Sequence, residues 1–377
     1  MNTTTNRLAV MAMGLAVTTT AAGCTASSVA GGGDDAPTGT SASGTGTAEA
    51  YDSLPFTDVL PVAEGEVEVD GSTEITIGFS QTCFNHPWRS AMIESAEAEV
   101  ARHPGVELVV LDGNCDVAKQ SNDVDDLLSR GVDAVILSPV ESAGLAPAAG
   151  RVVAAGVPLV VLDRDVPAEK TVFIGQSNVD MARDTAERMV EDLGGEGRIV
   201  EITGLSGSSA ATDRSEGLRQ ALEDAPGIEV VAVGDGEWVR EPAVGIMEDF
   251  LTNYDEIDAV FSHAEESSWG AQQAIASAGR CEDGILHYTH DGSAPGFESV
   301  AAGNFQADGN YSPYIADIGV RAALLALQGE AIEGAESYDE PGTLLELPSL
   351  PVVVPENAEE WIPQSWGDFE TPANPCA

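Results

Sequence analysis

Residues able to hydrogen-bond recur in this chain at one kind of place, directly after short apolar runs. Ser80-Gln81-Thr82, Asp112-Gly113-Asn114, Ser138-Pro139, Asp163-Arg164, the stretch from Gly204 to Arg214, His263-Ala264-Glu265-Glu266 and Asp291-Gly292 all sit there. Carboxylates accept hydrogen bonds, guanidinium forks donate planar pairs, and amides do both. Two indoles fall nearby: Trp88 opens the stretch after the first run, and Trp238 follows a later one. An indole face covers the apolar C–H side of a ring whose edges carry hydroxyls. Together Gln81, Asp112, Asp163, Arg164, Arg214 and Asp291, with Trp88 and Trp238, are the chemistry of a polyhydroxyl small molecule. Several of these residues have a plainer reading too. Asp163-Arg164 also suits a surface ion pair, Arg214 the decoration of a helix, and Trp88 a core position. Glu265 and Glu266 suit the start of a helix, where acids complement the dipole.

For these residues to meet, the elements between them must line up. Ile75–Phe79, Val106–Leu111, Ala134–Leu137, Pro158–Leu162 and Thr171–Ile174 read as buried parallel strands. Amphipathic helices fill the gaps over Pro87–Arg102, Val117–Arg130, Gly144–Ala155 and Val179–Leu193. The pattern then restarts with strands at Arg198–Ile202, Ile228–Val233, Ala259–His263 and Ile285–Thr289. Helices over Ala210–Glu223, Pro242–Leu251 and Ser268–Ala278 alternate with them, and a helix over Pro313–Leu327 precedes an extended stretch from Leu344 to Val354. The fold class is therefore α/β, with two doubly wound parallel sheets in two lobes. In such sheets ligand groups gather at the carboxyl ends of the strands, which is where the polar series lies.

Other chemistries lack their signatures. No Gly-x-Gly-x-x-Gly follows the first strand, and the Gly207-Ser208-Ser209 turn lacks the lysine and spacing of a phosphate loop. No nucleophile elbow is present. The histidines, His86, His103, His263, His287 and His290, have no metal-ligand spacing, so neither metal nor cofactor is called for. The 377 residues carry 63 acids against 16 bases, a net charge of -47. Such a surface repels nucleic acid and anionic headgroups, and it suits either plain solubility or a salt-rich habitat where carboxylates are screened.

The N-terminus reads as an address. Arg7, the apolar run Leu8–Val17 and Ala21-Ala22-Gly23-Cys24 describe an export signal over residues 1–23. The ending is similar to a bacterial lipobox, with Ala21 where leucine is usual, and implies acylation of Cys24. Residues 24–72 are rich in Gly, Ser, Thr and acids and read as a flexible tether to a membrane. Export permits disulfides. Cys83, Cys115, Cys281 and Cys376 allow three pairings. Because the first two strands should be neighbours, Cys83 is expected to join Cys115, leaving Cys281 for Cys376.

The segments ITIGFSQTCFNHPWRSAM, LDGN, GVDAVILSPV, VPLVVLDR, GLSGSSAATDRSEGLRQAL and HAEESSWGAQQAI occur in this order. Over Glu74 to about Val354 the chain resembles the type I periplasmic sugar-binding proteins, of the ribose type and more closely the galactofuranose type. The resemblance implies a two-lobed clamp that closes on a monosaccharide and delivers it to the permease of an ABC importer, without catalysis. It implies that Trp88 stacks on the sugar with Arg89 beside it. Asp163 and Arg164 would bind hydroxyls from the first lobe, Arg214 would reach in from the second, and Trp238 would form a second aromatic wall. Asp291 would accept hydroxyls, and Asn310 or Tyr311 would supply the polar group before the last long helix. Ala264 stands where the family often has asparagine, which leaves the sugar open.

The resulting map is a signal (1–23), an anchored linker (24–72), a first lobe (74–175 plus 311–345), a second lobe (177–309) and an extended tail (346–377). The lobes are joined by three crossings near Gln176, Asp291 and Asn310, and the protein is expected to be a monomer. A sensor presenting its ligand to a membrane kinase or chemoreceptor is the alternative among binding proteins. The export signal, with no basic helix-turn-helix, argues against a sugar-responsive repressor. A glycan hydrolase would need Asp163 as a general acid, and the adjacent arginine holds it ionised.

Overall fold

A run such as Ala134–Leu137 has no polar face to show to water, so it folds as a central strand covered on both sides. The computed structural model describes residues 58–377. It opens with β1 (Ile75–Gln81), α1 (Pro87–Val100), β2 (Val106–Asp112), α2 (Val117–Arg130), β3 (Ala134–Leu137), α3 (Ser142–Ala154), β4 (Leu159–Leu162) and β5 (Val172–Gln176). There follow α4 (Asn178–Asp192), β6 (Glu196–Thr203), α5 (Ser209–Glu223), β7 (Gly227–Asp235), α6 (Arg240–Asn253), β8 (Ala259–Ser262), α7 (Glu265–Ser277), β9 (Leu286–His290), α8 (Ala294–Ala301) and β10 (Ala307–Gly309). The chain ends with α9 (Ala316–Leu327), β11 (Glu336–Ser337), β12 (Thr343–Leu347) and α10 (Ala358–Trp361).

Two sheets result. The first has the order β11-β12-β5-β4-β3-β1-β2, parallel except for the β11–β12 pair, and the second is parallel in the order β10-β9-β8-β6-β7. Alternate residues of β3 feed opposite layers, as the pleat requires. Ala134 and Ile136 join the core with Ile77, Phe79 and Met92, and Val135 and Leu137 join the one with Leu127, Leu145 and Val152. Local signals set the helix starts. Pro87 sits in the first turn of α1 behind the cap His86, Asp116 caps α2, and Ser208 caps α5.

Three crossings link the lobes, but not where the sequence places all of them. The first follows Gln176 and the second runs from β10 through Asn310 and Tyr311 to α9. The third follows β12, carrying the chain from the first sheet to Val353, which pairs with Asp308 of the second lobe. Asp291 is not at a crossing, because the chain turns there into α8 and stays in the second lobe. The eight residues of α8 and three of β10 are too short to show a period, so the sequence sends the chain across too early. The Gln176 side chain ties the crossings together, accepting from Ser312 N at 3.1 Å and donating to Pro348 O at 3.4 Å.

The described segment before β1 and the tail differ from expectation. The described part of the linker is not a free tether, since Leu60 and Val67 are buried in the first-lobe core and Arg321 donates to Val59 O. Their apolar side chains have a surface to cover beside α1 and α9. The expected signal, residues 24–57 and the lipidation site Cys24 lie outside the described residues. The tail is not extended throughout: it forms α10 and packs Val353 and Ala358 against Trp269, Phe297 and Phe305. Cys83 bonds to Cys115 and Cys281 to Cys376, with Cα–Cα separations of 5.0 and 5.3 Å.

Candidate functional site

Strand ends from both lobes enclose a cavity of about 150 Å³. Its lining includes Trp88, Arg89, Asp163, Arg164 and Tyr311 on one side and Leu205, Arg214, Trp238 and Asp291 on the other, together with Thr82, Asn85, His86 and Glu237. The space suits a ligand on the order of ten non-hydrogen atoms, the scale of a single sugar ring. The lobes touch around it. Asp165 N donates to Ser209 Oγ at 3.0 Å, Ser142 N donates to Gly207 O at 3.1 Å, and Leu205 packs on the first-lobe core.

The first-lobe wall is a buried charge network. Asp163 follows β4 with φ 68 and lies 2.8 Å from Arg89 Nη1. Arg89 also donates to Ser138 Oγ, and Arg164 donates to Val140 O at 2.9 Å. Burial works to raise the Asp163 pKa, but Arg89 and Arg164 outweigh it and hold the carboxyl below its usual range. An ionised Asp163 is an acceptor fixed towards the cavity. Burial, with Arg89 and Arg214, lowers His86 to about 3, so that ring is neutral. Trp88 is anchored by its N–H to Tyr311 O at 3.0 Å, with its ring stacked on Tyr311 and the Arg89 guanidinium 4.7 Å above it. It is thus both a core residue and a wall of the cavity.

The second-lobe wall is built on Arg214. Its Nε donates to Asn178 Oδ1 at 2.8 Å, and Nη1 donates to His263 O and faces Asp291 Oδ1 at 3.4 Å. His263 is itself fixed, by Glu201 on Nε2 and by Gly204 N on Nδ1. Trp238 stands in a loop where it and Glu237 both have positive φ. Arg164 and Arg214 lie 5.3 and 5.2 Å from its ring centre, one from each lobe. The indole sits directly over Gly204, where a Cβ would come within 2.1 Å of it, so only glycine fits. The buried Trp238 Nε1, His86 Nε2 and Asp291 Oδ2 have no hydrogen-bond partner, and all belong to residues lining the cavity. Unpaired buried polar atoms are costly, and hydroxyls arriving between the lobes would satisfy them.

Burial raises Asp291 to about 8, against the pull of Arg214. A carboxyl whose pKa is raised in the fold loses stability for the empty protein as pH climbs from about 4 towards 8. Hydroxyls donating to it favour its ionised form, so ligand affinity should rise over the same window and binding near pH 7 should release a proton. Calorimetry in buffers of different protonation enthalpy checks this. The release should shrink in Asp291→Asn; equal heats in all buffers for the unaltered protein would contradict it.

Of the residues singled out from the sequence, Trp88, Arg89, Asp163, Arg164, Arg214, Trp238 and Asp291 line the cavity. Gln81, Asp112 and Asn310 do not. Gln81 turns back beneath α1 to donate to Arg89 O, and Asp112, on an edge strand, is exposed and accepts from Asn114 N. The Asn310 side chain lies against Gly292, behind Asp291. His86, Asn85 and Glu237 also line the cavity and are not among those residues. The His86-Pro87 pair is a helix-start signature that marks the first of them.

Comparison with known proteins agrees with this geometry. The model of the family described as periplasmic binding protein domain matches residues 77–331. The ribose import binding protein RbsB of Bacillus subtilis (strain 168) is 29% identical over 262 residues, covering 69% of this chain and 84% of the relative. The galactofuranose-binding protein YtfQ of Escherichia coli (strain K12) is 27% identical over 298 residues, covering 76% and 90%. These identities do not favour the galactofuranose type over the ribose type. The periplasmic binding component of the arabinose ABC transporter from Shewanella sp. ANA-3, solved with α- and β-L-arabinofuranose, superposes with a TM-score of 0.69 at 28% identity. That match covers 76% of this chain and 94% of the other.

Proposed function

The chain belongs to the periplasmic binding protein family, and from that premise we propose that it captures one monosaccharide between its lobes and hands it to the permease of an ABC importer. The observation that carries the reading is the cavity between the two sets of strand ends. It pairs an ionised Asp163 and three guanidiniums with two indoles, and Trp238 Nε1, His86 Nε2 and Asp291 Oδ2 beside it have no hydrogen-bond partner within the protein. A ligand touching both walls binds the closed form better than the open one, so it shifts the population towards closure. The closed rim is then the signal that a permease reads. The charged start, short apolar run and Cys24 support export and a lipid anchor on the outer face of a cytoplasmic membrane. Among the described residues no helix is long and apolar enough to cross a membrane.

A thermal-shift screen of residues 58–377 against pentoses and hexoses, in pyranose- and furanose-rich forms, tests the ligand class. A sugar at a hundred times its Kd adds about 2.7 kcal/mol of stability, a rise of several degrees in Tm. At least one sugar should produce it. A flat response to every sugar at millimolar concentration would overturn the proposal.

A further inference from the structure

The family match ends at residue 331, yet the chain beyond it returns to the cavity from behind. After the third crossing, Trp366 reaches the turn that holds Asp291. Its indole N–H donates to Asp291 O at 2.9 Å, its own carbonyl accepts from Ala294 N at 2.8 Å, and it bridges Ser293. Trp366 is 2% exposed and belongs to the first-lobe core with Trp88 and Met92. Phe369 packs against that core and also against the second-lobe cluster of Trp269 and Phe305. The segment therefore straps both lobes, and the Cys281–Cys376 disulfide pins its end to the second.

Asp291 needs such support. Its φ of 141 is one that side-chain-bearing residues rarely adopt, and Gly292 follows at φ 78. Strained backbone of this kind persists only where neighbours fix it. Gly309 O holds the Asp291 N–H at 3.1 Å, Glu265 accepts from Ser293 N at 2.8 Å, and Trp366 holds the carbonyl. Trp366 does not line the cavity, and its indole N–H reaches the site through the Asp291 carbonyl.

We propose that the C-terminal strap is a working part of the ligand site, with Trp366 as the positioning residue that aims the Asp291 carboxyl between the lobes. The inference rests on reading the cavity as a sugar site. It extends the site to residues 332–377, beyond the matched domain.

Trp366→Phe keeps an apolar ring and removes the N–H. Titrated with D-ribose, L-arabinose and D-galactose, the variant should bind whichever sugar the unaltered protein takes about tenfold more weakly. In an Asp291→Asn background the same change should cost less than about threefold, because coupled residues are not additive. In the ligand-free protein, amide hydrogen exchange over residues 289–293 should speed up while β1 is unaffected. Should Trp366→Phe fail to fold, the Cys281→Ser/Cys376→Ser pair unpins the strap's end and should shift affinity and exchange in the same direction. Unchanged affinity and exchange, or an equal loss in both backgrounds, would overturn the proposal. If no sugar binds the unaltered protein, the sugar reading falls, and the exchange measurement still decides whether the strap holds Asp291.

Discussion

Replacing Arg214 with alanine should weaken monosaccharide binding by about a thousandfold, close to abolishing it. The side chain connects Asn178 Oδ1, the His263 carbonyl and Asp291 Oδ1 in the second lobe, and its plane stacks near Trp238 and Tyr311 at 5.2 Å from each. Removing it leaves those acceptors buried without a donor and frees one face of the Trp238 wall. Truncating one partner of a buried, hydrogen-bonded charge pair costs about 2–5 kcal/mol, and 4 kcal/mol corresponds to roughly a thousandfold in Kd. Arg214→Lys should rescue little, because a point charge cannot serve acceptors on separate elements as a planar fork does. Binding within tenfold of the unaltered protein in Arg214→Ala would show that the second-lobe wall does not hold the ligand.

Asp163→Ala should be the more destructive change, since it removes binding and stability together. Asp163 is the near counterion for both Arg89 and Arg164, at 2.8 and 3.5 Å, and all of these side chains are at least nine-tenths buried. Without it, two guanidiniums face each other in a low-dielectric wall. Burial and Arg89 already lower Arg164 to about 9, so the site has little tolerance for further unpaired positive charge. Breaking a buried pair costs about 3–5 kcal/mol, a fall of roughly 5–10 °C in Tm for a domain of this size. A scan of the ligand-free variant reads the stability and a titration at a temperature where it remains folded reads the binding. An unchanged Tm would mean that the arginines find other partners.

Position was legible in the sequence, and direction was not. The rule that polar residues after buried strands gather at the sheet mouth located Asp163, Arg164, Arg214 and Asp291, because the runs before them are apolar throughout and fix the strand ends. The same rule named Gln81 and Asp112. A strand's side chains alternate faces, and a one-residue difference sends Gln81 under α1. Asp112 ends β2, at the sheet edge. The sequence points to Asn310, with Tyr311 as its alternative, where the structure places Tyr311, because β10 is only three residues, Ala-Asp-Gly, with no propensity of its own. It forms because β9 offers an open edge. In sequence the tail reads as extended and the segment around Leu60 as a flexible linker, because neither shows a helical or strand period. Their order comes from surfaces on α1, α9 and the second lobe that no local window contains.

The proposed function requires that one monosaccharide binds in the cavity between the two lobes. Calorimetric titration of residues 58–377 with the sugar that raises Tm most tests it directly. The expected result is a single saturable site, one sugar per chain, with tight binding that Arg214→Ala and Asp163→Ala each remove. Dilution heats alone from every sugar tested, or a saturable heat that survives both substitutions, would contradict it.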